Sequence, residues 1–280
     1  VIVDAQVHTY AANTEDRPWC IDVERIEPRE MTGEQMVAAM DEAGVDRAIL
    51  VSAWTQYGVD PSYAESVYVE HPDRFRLVTP VDPRDHDIVE QIRHWAKQPG
   101  AVGLRVLFMP RTTWGADHPG LQAALRTAAE VGLVVNLFCW GHLPVADALV
   151  AAFPGTQVVL DHFGLEQHDV PPSPPDALAD LDRVLALARH PNLALKLTGV
   201  CTYSQQGFPF EDLWEPVARA IDAYGIDRCL WGTDWQRSTR SYTYRDAVVA
   251  FRDRWPLSDA DRAALLGANT LRLYRWDERG

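Results

Sequence analysis

The chain has 280 residues, 47% hydrophobic and 24% charged, which is enough to bury a large core and too apolar for a disordered or fibrous chain. Its formal net charge is −14 and no Lys/Arg run occurs, which argues against a nucleic-acid partner because phosphate binding requires a basic surface. No apolar stretch approaches about 18 residues, so no membrane span is expected.

The chain opens directly on a strand pattern, Ile2–His8, with no basic leader before it. After an irregular stretch, Thr9–Met31, comes a helix over Glu34–Ala43, opened by the capping-box spacing Thr32…Gln35 and closed by Gly44. The series then repeats: strand Ala48–Ala53, helix Tyr63–Glu70, strand Phe75–Val81, helix Ile88–Lys97, strand Val102–Phe108 and helix Gly120–Glu130. The second half gives strand Leu133–Cys139, helix Val145–Ala152, strand Gln157–His162, helix Ala177–Arg189, strand Leu193–Gly199, helix Glu211–Tyr224, strand Cys229–Asp234 and helix Tyr244–Trp255.

Strict alternation of strand and helix implies parallel strands joined by right-handed crossovers. Near-continuous apolar strands imply burial on both faces. Eight such units with no linker between halves predict an α/β fold, one (β/α)₈ TIM barrel spanning residues 1–280. An open doubly wound sheet is the runner-up, but no Gly-rich phosphate fingerprint follows any strand. The four cysteines, Cys20, Cys139, Cys201 and Cys229, have no CxxC spacing and read as reduced thiols of a cytoplasmic protein. Homo-oligomerisation stays open.

In such a barrel the C-terminal ends of the strands form the mouth where chemistry is built. The first strand ends Asp4-Ala5-Gln6-Val7-His8, and a period of two places Asp4, Gln6 and His8 on one face. The sixth ends Asp161-His162 and the eighth Thr233-Asp234, while Arg105 and Lys196 sit within the fourth and seventh. Each has a plain structural reading, as a hydrogen-bonded strand end, a turn cap or an internal ion pair. Convergence of five such residues on one mouth favours Asp234, His162, His8, Arg105 and Lys196 as catalytic. The irregular segments Thr9–Met31 and His168–Asp176 lie over the same mouth as lids or pocket walls.

These residues, with Val3-Asp4-Ala5-Gln6-Val7-His8, His71-Pro72-Asp73-Arg74-Phe75, Gly103-Leu104-Arg105, Leu160-Asp161-His162-Phe163-Gly164, Lys196-Leu197-Thr198-Gly199 and Trp231-Gly232-Thr233-Asp234-Trp235, resemble the amidohydrolase superfamily end to end. The resemblance is to the branch of 2-pyrone-4,6-dicarboxylate lactonase and sugar lactonases. It implies a hydrolase on a distorted barrel, with some decarboxylases and many metal-dependent members. Those members begin with His-x-His, and here Gln6 replaces the first histidine. A neutral amide is a poor zinc ligand, and the fifth strand offers only Asn136 and Cys139 where another histidine often stands.

The expectation is therefore a metal-free site with no cofactor. The alternative is a single zinc on His8, His162 and Asp234 serving a metal-dependent hydrolase or decarboxylase, and a non-catalytic barrel binding a small acid is a third reading. Opening a lactone needs a base, an oxyanion donor and an acid. Asp234 is assigned base and then acid, with a carboxyl raised by burial beside aromatics. His8 and His162 are assigned as donors to the carbonyl, with Arg105 or Lys196 adding charge. A small-molecule substrate bearing a carboxylate or an aromatic or sugar ring suits the expected binding residues Gln6, Trp54, Tyr57, Arg111, Trp140, Trp235 and Arg237.

Overall fold

A computed structural model describes residues 1–22, 27–109, 112–168 and 171–278. Eight parallel strands pair in sequence order: β1 (Val3–Val7), β2 (Arg47–Val51), β3 (Phe75–Pro80), β4 (Ala101–Leu107), β5 (Val134–Phe138), β6 (Val158–Leu160), β7 (Leu193–Thr198) and β8 (Cys229–Gly232). Helices connect them on the outside, and the (β/α)₈ barrel expected from the alternation is the architecture found. Among the described residues no helix is long and apolar enough to cross a membrane.

Two clusters account for the near-continuous apolar strands. One side of each strand packs on the helices. The other side, with Val3, Ala5, Ile49, Val51, Val78, Val102, Val134, Val159, Ala194 and Leu230, fills the barrel interior together with Tyr274 and Trp276. The last two come from the C-terminal segment and close the end opposite the mouth, where Trp276 lies under the guanidiniums of Arg47 and Arg76.

Local signals set most element ends. Thr32 Oγ1 accepts from the Gln35 N–H at 3.2 Å and Gln35 Oε1 accepts from the Thr32 N–H at 2.8 Å, so the predicted capping box opens the helix Gly33–Ala43. Such a cap is worth about 1 kcal/mol. Gly44, at φ 77°, closes it in the left-handed region that suits glycine.

Elsewhere the elements depart from expectation. The helix read over Ala177–Arg189 begins only at Leu181, and the one read over Tyr244–Trp255 changes to a π-helical turn at Ala250–Arg254. A further helical segment, from Asp259 to Leu273 and capped by Ser258, was not read from the sequence at all.

The barrel closes unusually between β8 and β1. No ladder joins these two strands among the described residues. The Asp234 N–H instead donates to Gln6 O at 3.0 Å, and the Asp4 carboxylate bridges the seam. Gly232 sits in this joint, where a Cβ would come within 2.6 Å of the Thr198 side chain and 2.9 Å of Asp4 Oδ1.

Candidate active site

The β1 register shifts between Asp4 and Val7, so the strand carries a bulge. Asp4 therefore does not share a face with Gln6 and His8, as a period of two predicts. Its side chain reaches Thr233 and Tyr244, while Gln6 and His8 both turn inward. The extra residue is what allows Ala5 to pack the interior and Gln6 to enter the site beside it.

Two other site residues end strands in strained backbone. His162 has φ 51° and Asp234 φ 47°, and Phe163 after His162 has φ 58°. Left-handed conformations are uncommon for such residues and cluster at functional sites. They stop β6 at Leu160 and β8 at Gly232, short of the strand ends read from sequence, and turn both side chains into the mouth.

At the centre, His8 Nε2 lies 3.0 Å from Asp234 Oδ1, and His8 Nδ1 donates to Val51 O at 2.7 Å. A carbonyl only accepts, so Nδ1 carries a proton, and a hydrogen bond from Nε2 to the carboxylate requires a second. His162 is held differently. Its Nε2 faces two donors, Arg105 Nη2 at 2.8 Å and Gln6 Nε2 at 3.2 Å, so the ring proton sits on Nδ1, 3.2 Å from Thr198 Oγ1 and 3.7 Å from Asp234 Oδ2. With both nitrogens engaged, His162 is not a free donor for a carbonyl, which departs from the role first assigned to it.

Behind them lies a buried ion network. Arg105 Nε donates to Asp161 Oδ2 at 2.7 Å, and Lys196 Nζ lies 3.1 Å from Asp161 Oδ1 while donating to Gln6 Oε1 at 3.0 Å. Lys196 is fully buried and does not line the cavity. Burial works against the Asp161 charge, but Lys196 and Arg105 outweigh it and bring the carboxyl down to about 2. Burial pushes the His162 ring down to about 4 and also lowers Lys196, which Asp161 partly restores.

Asp234 runs opposite to the expectation of a raised carboxyl. Burial does push it upward, but the His162 and His8 rings and the Arg105 guanidinium prevail and hold it well below the usual carboxylate range. It is ionised at neutral pH. Its Oδ2 is buried with no hydrogen-bond partner among the described residues, and Asp234 is one of the residues that line the cavity.

That cavity, about 500 Å³, has His8, Arg105, His162 and Asp234 among its lining residues. Tyr10, Trp54, Phe138 and Trp140 give it aromatic walls. Of the residues expected to bind substrate, Trp54, Trp140 and Arg237 line it. Gln6 lies beneath it, Tyr57 packs on Tyr63 and accepts from the Ala11 N–H, and Trp235 packs on Tyr244. Arg111 falls outside the described residues.

The segment His168–Asp176, expected over the mouth, supplies His168, Pro172 and Pro174 to the cavity, whereas Glu166 and Gln167 just before it also line the cavity and were not anticipated. The irregular segment after β6 does form a wall. Asp161 was missed as the hub of the ion network, and its only signal was adjacency to His162.

The model of the amidohydrolase family matches residues 3–276. The chain belongs to the amidohydrolase family. It is thus an enzyme of the amidohydrolase superfamily. Among similar amidohydrolases, the L-fucono-1,5-lactonase of Burkholderia ambifaria is 27% identical over 98% of this chain and 96% of its own length. The 4-sulfomuconolactone hydrolase of Rhizobium radiobacter is 29% identical over 73% of this chain and 66% of its own. An amidohydrolase from Burkholderia multivorans, crystallised with bound zinc, superposes with a TM-score of 0.80 at 22% identity, covering 99% of both chains. That match carries the fold alone.

Zinc in that relative raises the question of a metal here, and the residues present do not fit one. The Gln6 amide nitrogen stands between these side chains, 3.4 Å from His8 Nε2, 3.2 Å from His162 Nε2 and 3.5 Å from Asp234 Oδ1. The ligand atoms of His8, His162 and Asp234 do not all gather within 4.8 Å of one another. The lone pair of His162 Nε2 is already directed at a guanidinium. Two His/Asp/Glu groups among the described residues do gather ligand atoms within 4.8 Å, Glu34–Glu70–His71 and Asp85–His86–Asp87, but both lie apart from the cavity.

Proposed function

We propose that this enzyme hydrolyses a small lactone without a metal ion, using Asp234 as general base and then as general acid. The observation that carries the reading is the Asp234 side chain: ionised, lining the cavity, and with an Oδ2 that is buried and has no hydrogen-bond partner among the described residues. A buried carboxylate oxygen with no donor is costly, and a water molecule is the donor that fits it.

In this scheme the substrate carbonyl lies against Arg105, whose Nη1 is not used in the ion network. A water sits on Asp234 Oδ2, while His8, bonded through both ring nitrogens, orients Asp234. The water oxygen attacks the carbonyl carbon and its proton passes to Asp234, while negative charge grows on the carbonyl oxygen beside Arg105. As Arg105 becomes engaged by that oxyanion, less of its field acts on Asp234, whose basicity rises as the transition state forms. Collapse of the tetrahedral species breaks the ring C–O bond, and Asp234 returns the proton to the leaving alkoxide. The products are a carboxylic acid, which releases its proton to solvent to become a carboxylate, and a hydroxyl on one open chain.

An ester carbonyl is electrophilic enough for this route; an unactivated amide calls for a Lewis acid. Two similar proteins are named for lactone hydrolysis, one over nearly the whole chain. The aromatic walls with Arg237 suit a ring carrying hydroxyls or a carboxylate. The test is a pH-indicator screen of sugar, carboxylated and aromatic lactones with protein freed of metal by chelator. Turnover that survives chelation supports the proposal. Loss of turnover on chelation with recovery on zinc would contradict the metal-free scheme, and no turnover on any lactone would contradict the substrate class.

A further inference from the structure

We infer that Gln6, clamped by Lys196, is a built-in replacement for a metal ion: its carboxamide occupies the ion's position, excludes divalent cations and positions the catalytic groups itself. This deepens the metal-free reading above and rests on it for its catalytic significance, but it is tested by a property that needs no substrate.

The orientation of the amide is fixed by chemistry. Lys196 Nζ is a donor only, and it donates to Gln6 Oε1 at 3.0 Å, which turns the amide nitrogen toward the mouth. Lys196 is itself locked, fully buried and 3.1 Å from Asp161 Oδ1. The nitrogen then faces His8 Nε2, His162 Nε2 and Asp234 Oδ1 at 3.4, 3.2 and 3.5 Å.

An amide has two N–H groups for these three neighbours. His8 Nε2 is itself directed at Asp234 Oδ1, so the two hydrogens fall to His162 Nε2 and Asp234 Oδ1. Every polar atom of Gln6 is thereby used. Like a cation, the N–H pair presents a positive end to a nitrogen lone pair and a carboxylate. Unlike one, it is covalently fixed and leaves no vacant coordination position.

The β1 bulge makes this geometry available. Without it, strict alternation would put Ala5 and Gln6 on opposite faces, and an inward Gln6 would exclude an inward Ala5. The sequence therefore carries a replaced residue, a strand irregularity that admits it and a buried lysine that orients it. Lys196 and Gln6 are positioning residues in this account.

The experiment is zinc retention by intact protein treated with chelator, exposed to zinc chloride, desalted and assayed for metal, with melting temperature recorded with and without zinc. Wild type is expected to retain no stoichiometric zinc, and its melting temperature should not move. Gln6→Glu is nearly isosteric, keeps an acceptor for Lys196 and supplies an oxygen ligand among His8, His162 and Asp234. It should retain one equivalent at least about 100-fold more tightly than wild type and melt higher with zinc than without. Gln6→His should do the same, and adding Asp234→Asn to either should remove the tight site while leaving weak surface binding unchanged.

Wild type retaining one equivalent that Asp234→Asn removes would overturn the inference. So would a folded Gln6→Glu that binds zinc no better than wild type. Because neither readout involves a lactone, failure of the substrate screen and failure of this inference are separately visible.

Discussion

Thr233 donates to both oxygens of Asp4, its N–H to Oδ1 at 2.9 Å and its hydroxyl to Oδ2 at 2.6 Å, and so ties β8 to β1 one residue before Asp234. Asp4 Oδ1 also accepts from the Gln6 N–H at 3.0 Å, and Oδ2 from the Tyr244 hydroxyl at 3.1 Å. One carboxylate thus fixes the backbone on both sides of the site. Asp4→Ala strands several buried donors, each costing about 1–3 kcal/mol. It should lower stability by at least about 3 kcal/mol in urea titration, and turnover should fall more than substrate affinity.

The same residue shapes the acid response. Burial raises the Asp4 carboxyl from 3.8 to about 6 despite its hydrogen bonds, and burial lowers His162 from 6.5 to about 4. As pH falls from 6.5 to 4, the unfolded chain protonates at His162 first, which destabilises the fold. As pH falls from about 6 to 3.8, folded Asp4 protonates first, which stabilises it. The two groups act in opposite directions, so between pH 6 and 4.5 Asp4→Asn, lacking the stabilising one, should lose melting temperature more steeply with acidification than wild type.

The apolar strands of the barrel were legible because burial on both faces leaves an unmistakable run, as in Val102–Phe108, and so were the strand-end residues His8, His162 and Asp234. The β1 bulge was not, since an extra residue leaves the composition of Val3–Val7 unchanged and alters only which way Asp4 and Gln6 point. Asp161 reads from sequence like a turn residue, because its importance lies in Arg105 and Lys196, 56 and 35 positions away. His168, Pro172 and Pro174 line the cavity because the irregular segment after β6 follows a strand and so lies at the mouth, whereas Glu166 and Gln167, just before it, carried no such signal.

Asp161→Asn should be among the most damaging single changes outside direct catalysis. It leaves two buried cations, Arg105 and Lys196, without their carboxylate. Breaking a buried ion pair from one side costs about 3–5 kcal/mol. Denaturant titration is expected to show a loss of that size, and a loss under about 1 kcal/mol would mean that the network contributes little.

The cavity separates wall residues from packing residues. Trp140→Ala should raise KM with kcat little changed, since it removes binding surface shared by substrate and transition state. Tyr57→Phe removes only a hydroxyl that accepts from the Ala11 N–H and should leave both constants within about threefold. Steady-state kinetics on the lactone found by screening distinguishes the two.

The central claim is that Asp234 Oδ2 activates water with no metal ion. The most direct measurement is kcat of chelator-treated wild type and Asp234→Asn on the same lactone, with both proteins shown to be folded by circular dichroism. The account predicts full wild-type turnover after chelation and a fall of about 10²–10⁴-fold for the variant, the usual contribution of a positioned base. Variant activity within tenfold of wild type, or wild-type activity that vanishes on chelation and returns with zinc, would contradict it.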